Sequence, residues 1–151
     1  MRGAVDLQEV LSAAVAKEVA ASRLYRTCAD GAEDPAVRAL MSELAADEEA
    51  HRELLESLDA ERIEAFSPEA RRDLRITEYL EDRSLAPESG LQATMIHAMH
   101  REGRARDFYS AMESRVGDER ARELFRKLST MENTHKAQLE ELYESTFMRE
   151  S

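Results

Sequence analysis

Glu48-Glu49-Ala50-His51 and Glu132-Asn133-Thr134-His135 are the two places in this 151-residue chain where a Glu stands three residues before a His. Residues three apart share one face of a helix. Each motif therefore presents a carboxylate and an imidazole to the same point. Two of the chain's four histidines are used this way, 84 residues apart. The offset of 84 holds well beyond the motifs. Glu18 falls on Glu102, Tyr25 on Tyr109, Asp34 on Asp118, Leu40 on Leu124, Leu44 on Leu128, Leu55 on Leu139 and Leu58 on Leu142. Leu24 meets Phe108, Met41 meets Phe125 and Cys28 meets Met112, with no insertion. The chain is an internal duplication, and its repeated unit is long enough for a pair of helices, a doubled hairpin rather than a solenoid.

The unit reads as helix throughout. Ala, Leu, Glu and Arg dominate, with five Gly and three Pro, a composition that favours helix. Asp6 with Glu9 forms a capping box for a first helix over about 6–30. Its inward seam is Leu7, Leu11, Ala14, Glu18, Ala21, Tyr25, Cys28, stepping by four and three as in a packed bundle. Asp34 followed by Pro35 starts a second helix over about 34–60, with Val37, Met41, Leu44, Glu48, His51, Leu55 and Leu58 inward. Ser89 with Gln92 caps a third over about 89–115, with Leu91, Met95, Ala98, Glu102, Ala105, Tyr109 and Met112 inward. The fourth runs over about 118–145 with Ala121, Phe125, Leu128, Glu132, His135, Leu139 and Leu142 inward. Short loops within each pair make two antiparallel hairpins. The stretch 61–88 is long enough to cross the length of a bundle, and Ser67-Pro68-Glu69 starts a helical piece over about 68–82. Its Arg71, Arg72, Arg75 and Arg83 read as a solvated face. The expected fold is all-α: one domain over 1–151, a four-helix bundle of two duplicated hairpins joined by a long, partly helical crossover.

Four carboxylates on these seams need an explanation. Glu18, Glu48, Glu102 and Glu132 are flanked at neighbouring seam steps by Leu, Ala, Met, Tyr or the motif His. Each uncompensated buried ion costs several kcal/mol, and four together also repel and take up protons. Two divalent cations balance four carboxylates, and two imidazoles complete a nitrogen-and-oxygen donor set suited to iron or manganese. The depth agrees: thirty residues separate Glu18 from Glu48, and thirty separate Glu102 from Glu132. The bland alternative, surface Glu and His on amphipathic hairpins, does not explain their duplicated place among apolar residues. Cys28, Met95, Met99 and Met112 read as core filler, His97 and His100 as surface residues, and Glu49 as facing solvent or a partner.

Glu18, Glu48, His51, Glu102, Glu132 and His135 resemble the ligand set of the ferritin-like di-iron carboxylate bundles, and within them the rubrerythrin family. The resemblance covers nearly all of the chain apart from the crossover and tail. It implies two iron ions, with manganese or a mixed pair as the alternative. It also implies that Glu48 and Glu132 bridge them, that Glu18 and Glu102 are terminal carboxylates, and that His51 and His135 are terminal nitrogens. Tyr25 and Tyr109, seven residues after Glu18 and Glu102, read as core aromatics whose hydroxyls find a ligand carboxylate, ahead of a role as redox relay. Two departures stand out. A single cysteine excludes a four-cysteine rubredoxin module within this sequence. Ala105 stands where rubrerythrins carry an additional Glu, matched by Ala21, so the implied site is a symmetric one with six ligands.

The activity implied by the resemblance is that of an oxidoreductase reducing hydrogen peroxide or oxygen, with electrons from an external donor such as rubredoxin, in a homodimer. Ferritin-type iron binding for storage or delivery is the alternative. The chain's end soon after the fourth helix is expected to leave no fifth helix of a cage subunit. A net charge of −11 argues against nucleic acid or an anionic membrane as partner and favours cations. The first residues lack a signal-peptide core, and one cysteine fits a reducing compartment, so the cytoplasm is expected.

Overall fold

The computed structural model describes residues 7–58, 85 and 89–148. Among them are four helices and no strand: α1 (Leu7–Gly31), α2 (Pro35–Glu56), α3 (Leu91–Arg115) and α4 (Glu119–Phe147). The Asp6 cap and the helical piece over 68–82 with its arginines lie outside the described residues. No helix among those described is long and apolar enough to cross a membrane.

Two of the helix starts follow from short polar side chains. Asp34 adopts extended backbone and accepts a hydrogen bond from the Ala36 N–H at 2.8 Å, with Pro35 in the first helical position. Asp118, its counterpart in the duplication, accepts from the Ala121 N–H at 2.9 Å. Each satisfies a backbone donor that the first helical turn leaves without a partner. The start of α3 corrects the sequence reading. Gly90 is the cap, without a side-chain hydrogen bond, and Ser89–Gln92 does not form a capping box. With Gly90 as cap the third helical position is Ala93, so Gln92 stands one residue too early to reach back. It donates instead to the Tyr143 hydroxyl on α4 at 2.9 Å.

Helix α1 packs chiefly on α2, and α3 on α4, with α2 also touching α4. One apolar cluster joins the start of α1 (Leu7, Leu11, Ala14), the end of α2 (Leu55), the end of α3 (Phe108, Met112) and the start of α4 (Phe125, Leu128). A second joins the opposite ends through Tyr25, Ala29, Val37, Met41, Met95 and Leu139. The chain thus leaves α2 at one end of the bundle and enters α3 at the other. The hairpins are also stapled at matching levels. Ser22 Oγ donates to the Ala45 carbonyl, and Ser129 Oγ to the Arg106 carbonyl, both at 3.0 Å. The 84-residue offset pairs Ser22 with Arg106 and Ala45 with Ser129, so donor and acceptor have exchanged helices.

The seams are buried as spaced, except at their ends and at Ala105 of α3, which is half-buried. Cys28 is half-buried and Ala29 takes its place in the core. A 3.5-residue repeat drifts on a helix of 3.6 residues per turn. Three heptads after Leu7, the position that still faces the core is one residue later. Leu58 and Leu142, the last seam positions of α2 and α4, are likewise half-buried.

Candidate metal centre

Between the two apolar clusters lie Glu18, Glu48, His51, Glu102, Glu132 and His135, all buried. The six expected residues are brought together. Glu18, Glu48, His51 and Glu132 each offer one ligand atom within 4.8 Å of the others, and so do Glu48, Glu102, Glu132 and His135. Glu48 and Glu132 belong to both sets. The two imidazoles stack, with ring centroids 5.6 Å apart. His51 Nδ1 lies 3.1 Å from Glu132 Oε1 and 3.4 Å from Glu48 Oε1. His135 Nδ1 lies 3.1 Å from Glu48 Oε1 and 3.3 Å from Glu132 Oε1.

One oxygen of every carboxylate and the Nδ1 of each imidazole make no hydrogen bond: Glu18 Oε2, Glu48 Oε1, Glu102 Oε2, Glu132 Oε1, His51 Nδ1 and His135 Nδ1. Buried polar atoms are almost always bonded. Six orphaned together, all oxygen or imidazole nitrogen, form a donor set that fits metal binding.

The other carboxylate oxygens are held by side chains. Tyr25 Oη donates to Glu102 Oε1 and Tyr109 Oη to Glu18 Oε1, each at 2.5 Å. Each tyrosine thus supports the glutamate of the opposite half. His135 Nε2 lies 3.0 Å from Asp47 Oδ2, whereas His51 Nε2 has no hydrogen-bond partner among the described residues. The duplication puts Met131 opposite Asp47, so the two halves differ here.

Arg101 is the residue that the seam reading missed. It is buried, and its guanidinium lies on the carboxylates. Nη1 donates to Glu48 Oε2, to Glu132 Oε2 at 2.9 Å and to Glu102 Oε1 at 3.2 Å, while Nη2 stands 3.3 Å from Glu18 Oε1. The imidazole Nδ1 atoms lie nearest Glu48 Oε1 and Glu132 Oε1, and Arg101 holds the other oxygen of each. A signal was present in the sequence. A basic residue precedes the first Glu in both halves, Lys17 before Glu18 and Arg101 before Glu102.

The electrostatics follow from this crowding. Burial, then repulsion from Glu132 and Glu48, pushes the Glu102 carboxyl up to about 7, against the pull of Arg101. Burial and Glu132 push Glu18 up as well. Burial also acts on Glu48, but Arg101 and both imidazoles outweigh it and hold Glu48 well below the usual carboxylate range. Burial opposes the charging of His51, yet Glu132 and Glu48 bring it up to about 9. His135 is raised in the same sense, by Glu102, Glu132 and Glu48. Burial raises both tyrosines, so their hydroxyls stay protonated as donors.

Outside the metal-ligand cluster, Met95 and Met112 are fully buried in opposite apolar clusters, and Met99 packs against the one that holds Met95. His100 is exposed; His97 is half-buried rather than on the surface, and neither joins the cluster. Glu49 is partly exposed and pairs with Arg52 at 2.6 Å.

A family model for rubrerythrin matches residues 9–143. The chain belongs to the rubrerythrin family. Two solved structures share the fold of this rubrerythrin-family chain. One, named for a ferritin-like diiron-carboxylate protein of Thermotoga maritima, has a TM-score of 0.70 at 18% identity, covering 97% of this chain and 100% of its own. The other, a hypothetical protein of Pyrococcus furiosus, has a TM-score of 0.67 at 23% identity, covering 91% and 88%. A comparison with curated proteins finds no match.

Proposed function

We propose that this rubrerythrin-family protein holds a pair of iron ions and reduces hydrogen peroxide or oxygen with electrons from an external donor such as rubredoxin. Manganese or a mixed pair suits the same donors. The observation that carries the reading is the set of six orphaned donor atoms facing one another in a dry core. Glu48 and Glu132, common to both four-residue sets, would bridge the ions; Glu18 with His51 would complete one position and Glu102 with His135 the other. When bound, the ions would supply two electrons, one each, which with two protons convert one hydrogen peroxide to two waters.

The chain's own residues do the rest. Tyr25 and Tyr109 fix one oxygen of Glu102 and of Glu18, leaving the second oxygen of each directed inward. Asp47 accepts from His135 Nε2–H, which leaves the Nδ1 lone pair for a metal. The apolar clusters at either end keep bulk water away and limit stray chemistry. Stopped-flow mixing of the anaerobically reduced, iron-loaded protein tests the reading. Peroxide is expected to oxidise the centre faster than oxygen does, and faster than it oxidises free ferrous iron. If it does neither, the peroxidase reading is wrong.

The net charge of −11 favours a second reading, iron binding and oxidation for storage or delivery. Sedimentation of the iron-loaded protein separates the two: a large shell supports storage, a homodimer the oxidoreductase.

A further inference from the structure

Arg101 holds the oxygens that a bridged pair of ions needs. A carboxylate that gives each of two cations its own oxygen uses both of its oxygens. The second oxygens of Glu48 and Glu132 both accept from Arg101 Nη1. With the guanidinium in place, the orphaned set of Glu48 Oε1, Glu132 Oε1, the outer carboxylates and the imidazoles can still serve one ion. It leaves a second ion no oxygen of Glu48 or Glu132 to itself.

We propose that Arg101 is an internal competitor of the second metal ion: its guanidinium neutralises the carboxylates until that ion arrives, and then withdraws. The inference rests on the metal-pair reading above. Charge supports it. Two divalent ions already balance four carboxylates, so a guanidinium kept among them would be an extra, unpaired positive charge within a few ångströms of both. At such distances like charges in a protein interior repel strongly. The surroundings allow withdrawal. Arg101 keeps 7% of its side-chain surface in solvent, whereas the carboxylates keep 1% or none. The side chain as a whole therefore reaches the edge of the core, and its stem of four rotatable bonds can swing the charge into water. The device also explains how four glutamates share a core before metal is taken up, since removing one partner of a buried ion cluster is costly.

The test is calorimetric titration of the chelator-stripped full chain with Co2+, comparing wild type with Arg101→Gln and Arg101→Lys. In wild type the second ion is expected to bind more weakly than the first. In Arg101→Gln the second ion should bind at least about tenfold tighter than in wild type, with Arg101→Lys in between. Stripped Arg101→Gln should also melt below stripped wild type and recover once Co2+ is added, which separates a counter-ion from an inert side chain. If Arg101→Gln folds only with Co2+ present, the counter-ion role is supported, and Arg101→Lys decides the competition by the same shift. Unchanged or weaker binding of the second ion in the variants overturns the inference while leaving the metal pair intact. No binding of Co2+ by wild type or either variant overturns the metal-pair reading, and this inference with it.

Discussion

At the scale of single residues, the two tyrosines and Asp47 make separable predictions. Tyr25→Phe removes a donor from Glu102 Oε1 but leaves Glu102 Oε2, the oxygen open to a metal, in place. Both metals should therefore remain bound, at a cost of about 1.5–3 kcal/mol in stability, the usual worth of a hydrogen bond to a charged group. Metal analysis beside urea unfolding checks both halves, and loss of a metal would mean that the hydroxyl is itself a ligand. Asp47→Ala should act on one position alone, weakening metal binding there about 10- to 100-fold, because a carboxylate behind a ligating His sets its tautomer and orientation. Titration against a competing chelator should show one weakened and one unchanged ion; two equally weakened ions would refute the asymmetry. The six clustered residues and both tyrosines were legible because duplication repeated each of them on an apolar seam. Asp47 was not, and Arg101, although Lys17 repeats its charge, stands off the seam. Each precedes a seam glutamate by one residue, about 100° around the helix, so position alone sends it sideways. Arg101 reaches the cluster by the length of its side chain, and a helical wheel records the direction of Cβ, not where a long side chain ends.

At the scale of elements, the hairpin turns are set by Asp34 and Asp118, and this is a local effect. Either Asp→Ala change should cost about 1 kcal/mol without altering metal content, read as a lower urea midpoint with an unchanged slope. A change in metal stoichiometry would show that the turns also position the site. These two starts were legible because an Asp cap followed by a Pro or by an acidic first turn has few other uses. The start of α3 was not, because Ser89 and Gly90 are both acceptable caps and Gln92 fits a capping box with one of them. Contact with Tyr143 on α4, which lies 51 residues on, takes up the Gln92 amide. A tertiary partner of that kind leaves no trace in the local sequence. The ends of the seams failed for a different reason, the mismatch between a 3.5-residue reading and a 3.6-residue helix, which shifts burial from Cys28 to Ala29. Near the middle of each helix the mismatch is small, and the four clustered glutamates stand there.

At the scale of the whole molecule, the bundle closes around a charge it can tolerate only with a counter-charge. Arg101 supplies part of it, and protons on Glu102, Glu18 and the imidazoles supply more. The consequence is a stability that depends on pH in one direction over a wide range. Glu102 has its folded pKa raised to about 7, above the ordinary carboxylate value of about 4.3. The folded chain therefore holds a proton that the unfolded chain has released, and that contribution is lost as pH rises from about 4.3 towards 7. His51 is raised from about 6.5 to about 9, so its contribution is complete below 6.5 and lost as pH climbs through 9. Glu48, held low, works in the opposite sense, but only below the ordinary carboxylate pKa. Chelator-stripped protein should thus melt highest near pH 5 and lower at each step towards pH 9. Metal-loaded protein should lack this decline, because bound cations replace the protons as counter-charge and, binding only the folded chain, add about 2.7 kcal/mol at a hundredfold excess over Kd. Thermal melts of both forms across that range decide the matter. A stripped protein whose melting temperature rises from pH 5 to pH 8 would mean that the four glutamates are ionised without strain. The central charge could not then be what ties metal uptake to the stability of the bundle.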